Sequence, residues 1–299
     1  METRVVSLTA PEAMLKKMAD FYYETRQDST DPYVLFVAKA PNCTVRAYRS
    51  GKVVFQGRNA TNEALIWQEQ LPQALESSWI FTDTHAGSDE VGTGDYFGPV
   101  VVVAAFVEAK DLPFLQAIGV ADSKTLSDNR IREIAPKLLK RITYSQLHLS
   151  NEKYNDLVNK GFNMNRLKAY LHNQALLHIR AKVNQPIPYF VVDQFTPEHN
   201  YYQYLDQDKR VERNIRFVTK GESKSPAVAV ASILARYSFL AHLNRLEHTY
   251  KIQLPKGAGA LVDRAAARYR IKLGDMNFAK IAKLNFKNTK KAEELMNNE

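Results

Sequence analysis

Four carboxylates stand out because their residue type is the one that holds hard cations. Asp89 and Glu90 lie side by side in Gly87-Ser88-Asp89-Glu90-Val91-Gly92-Thr93-Gly94-Asp95-Tyr96-Phe97-Gly98-Pro99. Asp193 closes Pro188-Tyr189-Phe190-Val191-Val192-Asp193, and Glu222 sits in Lys220-Gly221-Glu222-Ser223-Lys224. The first segment reads as strand, glycine-rich loop and second strand, the latter being the apolar run Val100–Val107. Neighbouring side chains of an extended strand point to opposite faces, so Asp89 and Glu90 share a face only if the strand ends there. In an open α/β sheet, function gathers where strands end, and strand ends and a helix start can meet at one point. Carboxylates gathered this way repel: at about 4 Å and an effective dielectric near 20, each pair costs roughly 4 kcal/mol. Mg²⁺ or Mn²⁺ supplies the missing charge, because all-oxygen ligand sets select hard cations. Two such ions about 3.5–4 Å apart clamp the attacking and leaving oxygens of a phosphodiester displacement. Taken singly, Asp193 is a strand-end turn former and Glu222 a charge complementing a helix N-terminus. Only the agreement of the four carries the metal reading.

The substrate class follows from charge. The chain has 299 residues, 45% of them hydrophobic, and a formal net charge of +9, with a pI near 9.4. That describes a well-cored globular protein with a polyanionic partner, nucleic acid above all. Cys43 is the only cysteine, which excludes an intrachain disulfide and a cysteine zinc site and fits a reducing cytosol. No run reaches the length of a bilayer span, so no membrane partner and a cytoplasmic location are expected.

The elements that must position these acids fall into two groups. Ala10 to about Thr25 has helical spacing, Tyr33–Lys39, Thr44–Tyr48 and Lys52–Gln56 read as strands, and Thr61–Glu76 as a second helix. That is a small α+β unit, taken as residues 1–80. Residues 81–299 read as α/β: the strand holding Asp89, then Val100–Val107 and Ile142–Leu149, the strand ending at Asp193, another at Ile215–Val218, and helices over Ser127–Lys140, Asn151–Lys160, Met164–Val183, Ser225–Tyr250 and Val262–Ile271.

These motifs resemble the type 2 ribonuclease H family, and within it the HIII branch. Asp89 to Pro99 is similar to the family's first motif, Ala121-Asp122-Ser123-Lys124 to its Asp-Ser-Lys segment, and Val192-Asp193-Gln194-Phe195 to the strand carrying the third acid. Lys220 to Lys224 with Ala229–Arg236 resembles the fourth-acid segment and its helix. Lys256-Gly257-Ala258-Gly259 and Phe286-Lys287-Asn288-Thr289 match near the C-terminus. Gly92-Thr93-Gly94 in place of Gly-Arg-Gly, and Glu222 in place of Asp, separate the chain from the HII branch. Pro41–Val45 through Gly51–Gly57 looks like the small TATA-binding-protein-like domain of HIII enzymes.

The resemblance implies a ribonuclease H-like mixed sheet flanked by helices. It implies endonucleolytic cleavage of the RNA strand of RNA/DNA hybrids, leaving 5′-phosphate and 3′-hydroxyl ends, with a preference for runs of ribonucleotides over single ones embedded in DNA. Asp89, Glu90, Asp193 and Glu222 would be catalytic and hold two Mg²⁺ or Mn²⁺ ions. Gly92, Thr93 and Gly94 would let backbone groups reach ribose 2′-hydroxyls. Ser123, Lys124 and Lys220 would meet phosphate, and Tyr33, Arg46, Tyr48 and Lys52 would present a sheet face of the small domain to the hybrid's backbone. A monomer is expected. The competing readings are a junction-resolving DNA nuclease with the same metal chemistry, a non-catalytic nucleic-acid-binding protein, and a phosphatase acting on small substrates.

Overall fold

The computed structural model describes residues 4–10, 12–68, 79–120 and 126–297. The chain divides into two compact units, Met1–Ala74 and Leu75–Glu299.

In the first unit, β1 (Arg4–Thr9) and α1 (Glu12–Phe21) precede β2 (Arg26–Gln27), β3 (Val34–Ala40), β4 (Cys43–Tyr48), β5 (Lys52–Gly57) and α2 (Ala60–Gln68). The sheet is antiparallel, in the order β1-β5-β4-β3-β2. Strict alternation builds its core: Cys43, Val45 and Ala47 of β4, with Val53 and Phe55 of β5, are buried with Met18 of α1 and Trp67 of α2. Gly51, at φ 91°, makes the hairpin turn that Ser50-Gly51 suggests. β1 and β2 are absent from the sequence reading. The part of the second predicted helix beyond Gln68 lies outside the described residues.

The second unit holds β6 (His85–Val91), β7 (Val100–Val107), α3 (Leu112–Ala117), α4 (Asp128–Arg141), β8 (Thr143–Leu149), α5 (Asn151–Asn159) and α6 (Met164–Lys182). Then come β9 (Phe190–Asp193), α7 (Glu198–Tyr204), β10 (Ile215–Val218), α8 (Gly221–Lys224), α9 (Pro226–Tyr250), α10 (Ala260–Phe278) and α11 (Lys287–Asn297). The sheet order is β10-β9-β6-β7-β8, parallel across β10, β9 and β6 and antiparallel across β6, β7 and β8. All eight residues of β7 are buried. Val101, Val103, Ala105 and Val107 face the α9 side, and Val102, Ala104 and Phe106 face the α6 side.

α9 is the central helix of this unit. Ser225 caps it by accepting the Val228 N–H, and Pro226 follows at the first turn. The expectation that no segment is long enough to span a bilayer does not hold by length and composition, because α9 meets both criteria. Of its apolar stretch, 78% is buried inside the unit, which is the state of a core helix. Gly87 lets α9 approach β6: a Cβ there would lie 2.8 Å from a Val228 methyl and 2.9 Å from the Val228 nitrogen.

Candidate active site

β6 does not end at its two acids. The ladder with β7 continues through Glu90↔Val102 and Val91↔Val101, so Asp89 and Glu90 project from opposite faces of one strand. This corrects the picture of a single four-carboxylate patch at a strand terminus. Pairing with β7, invisible in the local sequence, carries the strand one residue past the pair.

Asp89 faces α9, where Ser232 hydrogen-bonds its carboxylate and the Glu90 N–H donates to Oδ1 at 2.8 Å. The parallel register Gly87↔Val191 and Ser88↔Val192 places Asp193 beside Asp89 on the neighbouring strand, and adjacent strands lie about 4.8 Å apart. Both acids share a face, since Gly87 and Val191, each two residues earlier, both pack on Val228. Asp193 Oδ1 accepts the Gly221 N–H at 2.9 Å. A Cβ on Gly221 would lie 3.4 Å from the Cα and Cβ of Asp193, so the start of α8 is seated against this acid. The next residue, Glu222, is buried. Lys220 turns the chain from β10 into α8 in the left-handed region at φ 55°, a conformation non-glycine residues adopt at a cost.

Glu90 faces α6. Lys168 Nζ contacts Oε1, and His172 Nε2 lies 2.9 Å from Oε2. A carboxylate only accepts, so Nε2 carries the ring proton, and Nδ1 meets the Ser88 hydroxyl at 2.7 Å. Both partners rest on Phe195: Lys168 Nζ is 4.1 Å from its centroid, and His172 is stacked on it. Lys168 and His172 are absent from the sequence reading. The available signal was their i, i+4 spacing, which puts both on one face of α6.

The two acids differ in charge state. Burial, then the neighbouring Glu90 and Asp193, push the Asp89 carboxyl up to about 7 despite its hydrogen bonds to Ser232 and to the Glu90 N–H. Burial also acts to raise Glu90, but His172 and Lys168 reverse it and hold that group at about 2. As the side chains stand, no three acids, histidines or cysteines among the described residues converge tightly enough to hold an ion, and Glu90 is engaged by α6. The donors still fit a hard divalent ion. They are oxygens only, and Asp89 is short of positive charge.

Of the loop that follows, Gly92 (φ 88°) is required by the fold, since a Cβ would collide with the Pro99 carbonyl. Thr93 is half-buried. Gly94 has nothing within 4 Å of its Cβ position, so packing does not demand glycine there. Ser123 and Lys124 lie outside the described residues, and Lys220 is exposed. In the first unit, Arg46, Tyr48 and Lys52 alternate with the core residues of β4 and β5 and so occupy the sheet face away from the helices. Tyr33 precedes β3 and is 75% exposed.

Known proteins resemble this chain in sequence and fold. A family model described as Ribonuclease HII matches residues 86–289, and one described as a domain of unknown function (DUF3378) matches residues 5–78. The chain belongs to the ribonuclease HII family, and it is thereby a ribonuclease H, an endonuclease acting on RNA/DNA hybrids. Within that family its similarity is to proteins named ribonuclease HIII. That of Bacillus mycoides (strain KBAB4) is 48% identical over 88% of this chain and 89% of its own, and that of Bacillus anthracis (strain CDC 684 / NRRL 3495) is 46% identical over 95% and 96%. The crystal structure of Bst-RNase HIII in complex with Mn²⁺ is 36% identical with a TM-score of 0.72, covering 99% of this chain and all of that one. Aquifex aeolicus RNase H3 gives 25% identity and a TM-score of 0.55, covering 94% of this chain and 99% of that one.

Proposed function

We propose that this chain hydrolyses the RNA strand of RNA/DNA hybrids by two-metal-ion catalysis, with Asp89, Glu90, Asp193 and Glu222 as the metal-holding and catalytic acids. One observation carries the reading: a buried Asp89 sits next to Asp193 on parallel strands, and its burial beside two other carboxylates disfavours its anion, which a bound cation would stabilise. Bst-RNase HIII was crystallised with Mn²⁺, which supports a divalent ion, Mg²⁺ or Mn²⁺, at the matching place here. Two bound ions would stabilise the attacking and leaving oxygens of the phosphodiester, leaving 5′-phosphate and 3′-hydroxyl ends.

The chain's own residues supply the rest. Asp89 and Asp193 are held by the hydrogen bonds of Ser232 and Gly221. Glu90 reaches the same centre from the opposite face of β6 only by exchanging its contacts with Lys168 and His172. Gly94, open on its solvent side, admits close approach of a ribose to backbone groups. Ser123, Lys124 and Lys220 would contact phosphate. The face bearing Arg46, Tyr48 and Lys52, with Tyr33 at its margin, would bind hybrid backbone, as a small substrate-binding domain does.

A side-by-side assay of a uniform RNA/DNA hybrid, a duplex with one embedded ribonucleotide and an all-DNA duplex, in Mg²⁺ and in Mn²⁺, tests the proposal. The expected order is strong, weak and none. Cleavage of the DNA duplex at the hybrid's rate would favour the junction-resolving reading instead.

A further inference from the structure

The loop joining β6 to β7 has two halves that differ in how they are held. Its rear half is braced from behind by residues remote in sequence. The Lys283 N–H donates to the Tyr96 carbonyl at 2.9 Å, the Gly98 N–H to the Ile281 carbonyl at 2.9 Å, and the Tyr96 N–H to the Gly257 carbonyl at 2.9 Å. The Gly257 N–H returns to Asp95 Oδ1 at 2.6 Å. The front half, Gly92 to Gly94, begins at a glycine the fold requires and ends at one facing open space.

Lys283 is the unusual member of the brace. Its side chain is fully buried, and Nζ donates to the Asp95 carbonyl at 2.7 Å and the Gly98 carbonyl at 2.5 Å. Its acceptors are carbonyls and not carboxylates, and the Tyr154 ring lies beside it at 5.9 Å. Burial pulls its ammonium down to about 7, with Asp95 opposing. A methionine of similar length would fill the space without burying a charge, and burying a charge is costly. What methionine could not do is fix two carbonyls three residues apart in one orientation, and Gly98 sits in a left-handed turn (φ 84°) that other residues rarely adopt.

We infer that Lys283 is a positioning residue for ribose recognition: by tying down the Asp95 and Gly98 carbonyls it sets where the Gly92-Thr93-Gly94 backbone stands relative to the acids of β6. The inference rests on the reading above that this tripeptide meets the ribose. It gives a task to the C-terminal segments that no step of the hydrolysis requires.

The test measures affinity of the full chain for a labelled RNA/DNA hybrid and for a DNA duplex of the same sequence, in chelator so that nothing is cut, together with Tm. Lys283→Met is expected to lower the hybrid-to-DNA affinity ratio about tenfold while leaving DNA-duplex affinity unchanged. A merely structural lysine would lower Tm and leave the ratio intact, which would overturn the inference. Should Lys283→Met not fold, Lys283→Leu, shorter and equally without a donor, carries the same comparison, and an unchanged ratio overturns it equally. Gly94→Val, sterically free at its own position, separates the premise from the inference. If it leaves the ratio unchanged, the tripeptide does not read ribose. If it lowers the ratio and the Lys283 variants do not, only the role of Lys283 is lost.

Discussion

The two faces of β6 treat adjacent acids in opposite ways. On the α6 face, Glu90 meets a lysine and a histidine and is held as an anion well below the usual carboxylate range. On the α9 face, Asp89 meets a serine hydroxyl and another acid and is pushed up to about 7. Burial is common to both, so partner identity sets the sign. A strand can thus keep one carboxylate satisfied by protein and its neighbour in want of an external cation.

The largest expected effect comes from the unsatisfied side. Asp89→Asn or Asp193→Asn should cut hybrid cleavage by about 10³-fold or more, while the metal-free Tm holds or rises by a few degrees, because a repulsive charge has gone. Retained cleavage would remove that residue from the centre. On the satisfied side the order of effects inverts. Lys168→Met strands a buried Glu90 and should cost about 3–5 kcal/mol in chemical denaturation, and Lys168→Met with Glu90→Gln should recover most of it. If the double variant is no more stable than the single one, the α6 pair is not what holds Glu90.

The pH dependence sharpens the contrast further. Asp89 has a raised pKa, so its contribution to stability is fully present below its ordinary 3.8 and is lost as pH climbs through about 7. Glu90 is depressed, so its contribution is present above its ordinary 4.5 and is lost as pH falls towards 2. In chelator, Asp89→Asn should therefore flatten the Tm profile between about pH 4 and 7. Divalent-ion affinity should rise over the same window with release of about one proton, measured by calorimetry in buffers of different ionisation enthalpy. The smallest effect belongs to the first unit. Arg46→Ala or Lys52→Ala should weaken hybrid binding a few-fold, reduce the salt slope by about one per lost phosphate contact, and leave kcat unchanged. A lower kcat at saturating substrate would contradict a purely binding role.

Much of this was legible because periodicity is a local property. The run Val100–Val107 is β7 with the same limits, since eight apolar residues in a row suit a strand covered on both faces. Asp193 ends its strand as the sequence suggests. β1 was hidden because Arg4–Thr9 becomes a strand by pairing with β5, and α7 because Glu198–Tyr204 is short and its aromatics mask any apolar stripe. The opposed directions of Asp89 and Glu90 depended on where a ladder stops, which the partner strand decides. Lys168 and His172 carry no motif of their own, and only the docking of α6 on β6 gives them a task. Gly92 and Gly94 look alike in sequence, yet one is demanded by the backbone and the other is not.

The parallel pairing of β6 with β9 has a temporal consequence. Asp89 acquires its neighbour only after a long crossover through four helices has been made, and parallel, sequence-distant pairing is slow to assemble. Domains generally fold as units while synthesis proceeds from the N-terminus, so a growing polypeptide passes about a third of its translation, from residue 89 to residue 193, before the acid that neighbours Asp89 exists. The acidic pair on adjacent parallel strands is therefore a late product of chain assembly, complete only once β9 has emerged and docked on β6.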